Sequence, residues 1–323
     1  MPRAHLHGVR IDWTCEGTVD LVRQLGMDEG IGAEDGRGEI AISMRPAPPS
    51  AAEDPALEGH PPAFFHGIVQ AYRAGGGFLL WDRASRILVP AGGASIEALV
   101  APTDLEVVPG SSRAALEIAL SLALREKGLF HLHAAAVESA SGLGVLVVGG
   151  SGAGKTTATI ALIEAGYAFL GDDALLLTEG PVLCAFPRPF HLGPATLAAF
   201  PRLGALAGGT SGHGDKRDLD PRLAFPGRRK ATMSPPALVL HPRVEPDAKT
   251  RLAKIAPADA LGNLIASSAG IVIDGAVRRE EQMALLGKVA VGARHFEIRM
   301  GRDLLGDPGR LAVAVEELVA AGG

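Results

Sequence analysis

Cysteine is nearly absent. Cys15 and Cys184 are the two in 323 residues. A pair so far apart builds neither a disulfide framework nor a metal site. Long apolar runs are absent too: no stretch reaches the roughly 18 residues that a bilayer span needs. The opening Met-Pro-Arg-Ala-His-Leu-His lacks the apolar core of a signal peptide. These absences predict a cytoplasmic chain in a reducing compartment, with no membrane partner. A basic excess is also missing. Lys and Arg number 31 against 36 Asp and Glu, for a net charge of -5. Nucleic-acid binders usually carry a basic face, so no nucleic-acid partner is expected. Aromatics make up only 4%, yet 47% of residues are hydrophobic, enough to bury a substantial core in one large domain or two modest ones. No internal repeat is visible.

What is present concentrates between Gly142 and Leu177. Val145 to Val148 is a short apolar, β-branched run that suits a buried strand. Gly149-Gly150-Ser151-Gly152-Ala153-Gly154-Lys155-Thr156 then fits G-x-x-x-x-G-K-[ST] at every fixed position. Glycines there let successive backbone N–H groups turn inward around phosphate oxygens. Lys155 would reach the β- and γ-phosphates, and the Thr156 hydroxyl would bind Mg²⁺. Thr157 to Ala165 reads as a helix whose positive end faces the same anion, with Gly166 as its stop. Gly149 to Thr156, with Thr157 beside them, are the candidate nucleotide-binding residues. A glycine turn without a ligand has no need of a lysine and a hydroxyl at those places.

Tyr167 to Leu170 is a second strand candidate, ending in Gly171-Asp172-Asp173. Two adjacent carboxylates there can face a γ-phosphate together. One could hold Mg²⁺ and the other accept a proton from an attacking hydroxyl. Gly-Asp is also common turn chemistry, but apolar sequence resumes at Ala174. Leu129 to Val137 reads as one strand feeding the loop strand, with His131 and His133 on the same face. Either is a packed residue or a site residue.

Residues 1–110 look like a small strand-rich region. Strands are expected at Glu39–Met44, Phe64–Tyr72, Phe78–Trp81 and Arg86–Val89, with a loop over Arg45–Pro62. Ser111 or Ser112 can cap a helix from Arg113 to Lys127, and the domain boundary is placed just before it, giving domains of 1–110 and 111–323. Further on, Ala174–Thr178 and Val182–Phe186 suit a hairpin. Residues 208–214 form a glycine-rich loop that leads to Lys216 and Arg217, and later to Arg228-Arg229-Lys230. Those cations either close over phosphates or form a solvated basic loop. Strands near Pro235–Leu240 and Arg294–Arg299 and helices at Pro257–Ser267, Arg278–Val289 and Pro308–Ala321 complete the expectation.

The order His133, Gly-x-Ser-Gly-x-Gly-Lys-Thr, a short helix, then Asp-Asp resembles the catalytic domain of bacterial HPr kinase/phosphorylase and its relatives, including kinases found with lasso-peptide biosynthesis. The resemblance covers Phe130 to Leu177. It implies an α/β P-loop kinase domain of the HPr kinase and phosphoenolpyruvate carboxykinase type, with a mixed sheet, following the strand-rich N-terminal region. ATP and Mg²⁺ are the implied cofactors. Asp172 is implied as the base on an acceptor serine, Lys155 and His133 as residues beside the phosphates, and Thr156 and Asp173 as the metal residues. Thr157 stands where bifunctional members carry Glu, and their later Gly-Arg-Asn-Leu-Ala signature has no counterpart. The expectation is therefore a kinase without phosphorylase activity. Its acceptor would be a serine on a peptide or protein, or else a small-molecule hydroxyl. A non-catalytic ATP-binding sensor is the remaining alternative, and a homo-oligomer is the family's habit.

Overall fold

The structure, a computed structural model, describes residues 1–27, 30–34, 36–48, 60–102, 106, 108, 110–208, 215–268, 277–305, 307 and 309–320. The chain divides into two compact units, Met1–Phe130 with Gly270–Arg279, and His131–Ala269 with Glu280–Gly323. Most of the expected loop over 45–62 and all of 209–214 lie outside the described residues.

In the first unit, eight strands make one sheet. They are β1 (Arg3–Leu6), β2 (Val9–Cys15), β3 (Gly38–Pro46), β4 (Phe64–His66), β5 (Val69–Ala74), β6 (Gly77–Trp81), β7 (Arg86–Val89) and β8 (Ser95–Val100). Their order is β1-β2-β3-β8-β7-β6-β5-β4. Period-two alternation explains the buried face. Val9, Ile11 and Trp13 point inward from β2, Ile40, Ile42 and Met44 from β3, and Ile96, Ala98 and Val100 from β8. Helix Ser111–Glu126 covers strands β5 to β8 with Ala115, Leu116, Ala119, Leu120, Ala123 and Leu124.

That packing corrects two expectations. The sequence puts the helix at the head of the second domain, with a boundary at 110/111. It belongs instead to the first unit, which runs on to Phe130, because its apolar stripe is buried on the first unit's sheet. The serines also do not cap it. Gly110, at φ +82°, is the N-cap residue and no side chain of its own serves the helix. The Glu106 carboxylate accepts from the amides of Gly110 (2.7 Å) and Ser112 (3.2 Å). An anion at the positive end of the helix supplies what a serine cap would have. The Ser111 and Ser112 hydroxyls turn instead to the buried Asp82 carboxylate, at 2.7 Å and 3.3 Å.

In the second unit the strands are β9 (Phe130–Leu132), β10 (Ala134–Glu138), β11 (Gly144–Val148), β12 (Ala168–Gly171), β13 (Leu175–Thr178), β14 (Val182–Ala185), β15 (Phe190–Leu192), β16 (Arg217–Leu219), β17 (Thr232–Met233), β18 (Leu238–Val244), β19 (Arg251–Lys254) and β20 (Arg294–Met300). The main sheet has the order β12-β10-β11-β18-β20-β19. It is mixed: β10 runs antiparallel to both β11 and β12, while β11, β18 and β20 are parallel. A smaller sheet has the order β17-β14-β13-β9, and β15 pairs with β16. The single strand expected over Leu129–Val137 is two strands, Phe130–Leu132 and Ala134–Glu138, broken at His133. There the backbone leaves the ladder and the His133 amide donates to the Ser267 carbonyl at 2.7 Å.

Helix Lys155–Glu164 lies on the main sheet. Ala158, Ile160, Ala161, Leu162 and Ile163 pack with Val137, Val145, Val147, Leu238 and Leu240. Leu311, Ala312 and Val315 of helix Arg310–Ala320 complete that core. Helices Pro257–Ala266 and Arg279–Gly292 stand close to their expected bounds. Among the described residues, no helix is long and apolar enough to cross a membrane.

Candidate functional site

Strand register brings the marked residues to one end of the main sheet. Ala134 on β10 pairs with Val148 on β11, and Ala136 pairs with Gly171 on β12. The next residues outward are His133, Gly149 and Asp172. Strands β11 and β12 both end here, because each runs antiparallel to the β10 between them. Ligands of open α/β sheets characteristically bind at the carboxyl ends of such strands.

The turn from Gly149 to Gly154 needs its glycines. Gly152 has φ +76° and Gly154 has φ +99°, a backbone region that strains side-chain-bearing residues. A Cβ on Gly154 would also collide with Met300 Cε. Helix Lys155–Glu164 starts directly after, and its first amides face the turn. Lys155 is 5% exposed. Its ammonium reaches the carbonyls of Gly149 (2.9 Å) and Gly150 (3.2 Å), His133 Nε2 (3.1 Å) and Asp173 Oδ1 (3.3 Å). His133 Nδ1 lies 2.9 Å from the Asp173 carbonyl. The carbonyl can only accept, so the imidazole proton sits on Nδ1 and Nε2 accepts from Lys155. Burial and the Lys155 charge both hold the His133 pKa below its usual value, which keeps the ring neutral.

The two aspartates have different surroundings. Asp172 is 1% exposed. Its Oδ2 accepts the Thr156 hydroxyl at 2.6 Å, and its Oδ1 has no hydrogen-bond partner among the described residues. Burial, with the Asp173 charge alongside, pushes its pKa up to about 7. Burial acts against ionised Asp173 as well, but Lys155, His133, Arg188 and Lys216 outweigh it and hold its carboxyl below the ordinary range. Asp173 also sits at φ +63°, uncommon for a residue with a side chain. That kink lets its carbonyl serve His133 while its carboxylate serves Lys155.

These residues fit a divalent cation. A buried carboxylate oxygen without a partner stands beside a hydroxyl that keeps a lone pair while donating to the same carboxylate. Mg²⁺ takes one or two protein oxygens and completes its octahedron with waters and phosphates. The resemblance gives the metal role to Asp173. Here Thr156 bonds Asp172, and the Asp173 carboxylate faces Lys155 and His133.

Other marked residues fall away from this cluster. The Thr157 hydroxyl pairs with that of Thr196 at 2.9 Å. The His131 ring stands edge-on to Phe186. Arg217 bonds the carbonyls of Ala207 and Gly208. Arg228 donates to the Ile163 carbonyl, and Lys230 pairs with Glu138. Of the basic stretch, Lys216 is the residue whose charge reaches Asp173. Sequence reasoning passed over Arg188, whose charge acts on His133, Asp172 and Asp173. The one signal was a cation between two prolines, Pro187 and Pro189, which stiffen the backbone around it.

The sequence matches no protein-family model and no curated protein. Among solved structures it is similar to the Hpr(Ser) kinase/phosphatase from Coxiella burnetii, at 14% identity and a TM-score of 0.31, over 59% of this chain and 99% of that one. A likeness at that level carries no weight for fold or function.

Proposed function

We propose that the chain is a kinase that moves the γ-phosphoryl group of ATP to a hydroxyl, specifically a serine of a peptide or protein, without the reverse phosphorylase activity. The observation that supports this most is the Asp172 carboxylate. It is buried and half-satisfied, and it is fixed by Thr156 at the head of a helix that follows a glycine turn. A carboxylate placed only to stabilise the fold would have partners for both oxygens.

Bound ATP with Mg²⁺ supplies the electrophilic phosphorus and the ADP leaving group. Backbone amides of Gly150 to Thr156 surround the phosphates, and Lys155 moves from the Gly149 and Gly150 carbonyls to phosphate oxygen. Thr156 and the carboxylate pair would hold Mg²⁺. Asp172 accepts the serine proton as the serine oxygen bonds to phosphorus and the bond to the ADP oxygen breaks. Burial and the adjacent Asp173 charge make Asp172 the more basic of the two carboxylates. Asp173 is the weaker base of the two, its carboxyl held below the ordinary range by Lys155. His133 keeps Lys155 and the Asp173 backbone in register.

The test is transfer of labelled γ-phosphate from ATP, with Mg²⁺, to serine-bearing peptides and proteins encoded near this gene. Labelled phosphoserine supports the reading. Label on a metabolite hydroxyl would make it a small-molecule kinase. ATP binding with no labelled acceptor of either kind would make the chain a nucleotide sensor and overturn the proposal.

A further inference from the structure

Three arginines stand side by side across one half of the main sheet. Arg243 on β18 is the register partner of Arg299 on β20, and Arg299 is the partner of Arg251 on β19. Directly opposed residues project from one face of a sheet, with Cβ atoms about 5 Å apart. Arg243 and Arg251 are exposed, and the Arg299 side chain is 42% exposed. Helix Pro257–Ala266 covers this face one layer earlier, where Asn263 bonds the buried His241. Two residues on, Arg243 is uncovered.

Like charges directly opposite one another destabilise a sheet. Two carboxylates moderate this row. Glu297 bonds Arg299. Glu245 stands 3.6 Å from Arg243 and 3.7 Å from Arg299, ion pairs too long to be hydrogen bonds. Arg251 belongs to neither pair. Among the described residues, neither Arg243 nor Arg251 donates a hydrogen bond from its guanidinium. Two planar forks are therefore open to a ligand, and such a fork takes a carboxylate through two parallel bonds.

The row borders the candidate site without facing the glycine turn. Pro242 and Val244 flank Arg243. The Pro242 carbonyl oxygen lies 3.6 Å from where a Cβ on Gly149 would stand, and Val244 Cγ2 lies 3.1 Å from the same point on Gly154. Leu240, Ile298 and Met300 point to the side packed by helix Lys155–Glu164. Side chains alternate along a strand, so Arg243 and Arg299 point to the opposite face. The row is thus set apart from the turn proposed to hold the triphosphate and is placed for the other substrate. Its mixture of signs selects as well. Glu245 and Glu297 interrupt the cations and repel a uniform polyanion such as a nucleic-acid backbone, whereas the separate carboxylates of an acidic peptide can interleave with them.

We propose that Arg243, Arg251 and Arg299 dock an acidic segment of the phosphoacceptor peptide or protein. The proposal rests on the kinase reading above. Strand spacing fixes where that segment falls. Arg243 is three strands from β12, which leads into Asp172, and Arg251 is five. At about 4.8 Å per strand this is roughly 14–24 Å, or about four to seven residues of extended chain.

The experiment puts two readouts on the full chain: fluorescence anisotropy of labelled serine peptides, and transfer of labelled γ-phosphate to them from ATP with Mg²⁺. Each peptide carries one serine and a short block of Glu, Gln or Lys centred about five residues away, on either side. The wild type should bind and phosphorylate a Glu peptide with a KM roughly tenfold below that of its Gln counterpart. Arg243→Ala should lose most of that preference. Arg251→Glu puts a carboxylate opposite Arg299, which does not weaken the sheet. It should lose the Glu preference and gain on the Lys peptide, with ATP affinity within about twofold of wild type. A wild type that phosphorylates Glu and Gln peptides alike, or an Arg251→Glu chain that keeps the Glu preference, overturns the proposal and leaves the kinase reading standing. Tighter binding of a single-stranded oligonucleotide than of the Glu peptide overturns the acidic-peptide assignment in the same way. Peptide binding that follows the charge swap with no serine labelled overturns the kinase reading, and with it the occupant named here.

Discussion

Each unit of this chain buries an aspartate next to hydroxyl side chains, and the two are used in opposite ways. Asp82, in the first unit, is 0% exposed. Its Oδ1 accepts from the amides of Ala84 (2.9 Å) and Ser85 (2.5 Å), and its Oδ2 from the hydroxyls of Ser111 and Ser112. Asp172, in the second unit, is as deeply buried, but one of its oxygens lacks a partner among the described residues, and a second carboxylate follows it directly. A satisfied buried carboxylate locks structure; it holds the turn after β6 to the start of helix Ser111–Glu126. A half-satisfied one beside a like charge stores electrostatic tension that a cation or a proton relieves. Burial alone therefore does not mark a functional group. Unmet bonding capacity does.

That contrast can be broken by experiment, beginning with stability. Asp82→Ala strands four donors in the core and should cost about 4 kcal/mol, seen as a lower urea midpoint, with transfer per folded molecule unchanged. A stable Asp82→Ala protein would remove the structural half of the comparison. Acid tests the second satisfied network. His241, buried, donates through Nε2 to His295 Nδ1 at 3.3 Å and accepts from Asn263 at 3.2 Å. Burial and the neighbouring His295 push its pKa down to about 4 from 6.5. The unfolded chain takes up that proton first, so the contribution is whole above pH 6.5 and is lost as pH falls toward 4. The loss amounts to roughly 3 kcal/mol, and denaturant curves across that range measure it.

At the candidate site, Lys155→Met should weaken ATP binding about a hundredfold, read by calorimetry, with secondary structure retained by circular dichroism. The smallest effects separate two neighbours. Lys216→Ala, whose charge acts on Asp173, should slow transfer several-fold. Arg217→Ala, which loses the bonds to the Ala207 and Gly208 carbonyls, should leave the rate unchanged and cost about 1 kcal/mol of stability.

The second unit's centre was legible because its residues constrain the backbone at fixed, short spacing. Gly152 and Gly154 at positive φ, Lys155 and Thr156 at the helix start, and the Asp172-Asp173 break in apolar sequence all declare themselves within a few residues. What was not legible depends on pairing between distant segments. The charge of Arg188 acts on Asp172 and Asp173 from a different segment of the chain. Thr156 bonds Asp172 rather than Asp173, and Asp173 turns at φ +63°, a local geometry that strand periodicity does not reveal. Ser111 and Ser112 look like caps locally, yet a carboxylate 29 residues before Ser111 outbids the helix for their hydroxyls. The same tertiary pull moved the domain boundary, since an amphipathic stripe does not say which sheet it will cover.

The most direct measurement is Asp172→Asn, assayed side by side for γ-phosphate transfer to serine and for equilibrium ATP binding. Asparagine keeps the shape and the Thr156 contact but cannot take a proton. The account predicts a loss of transfer of roughly a thousandfold, with ATP still bound and the fold no less stable, since one of two crowded charges is gone. Transfer at wild-type rate in Asp172→Asn would contradict it.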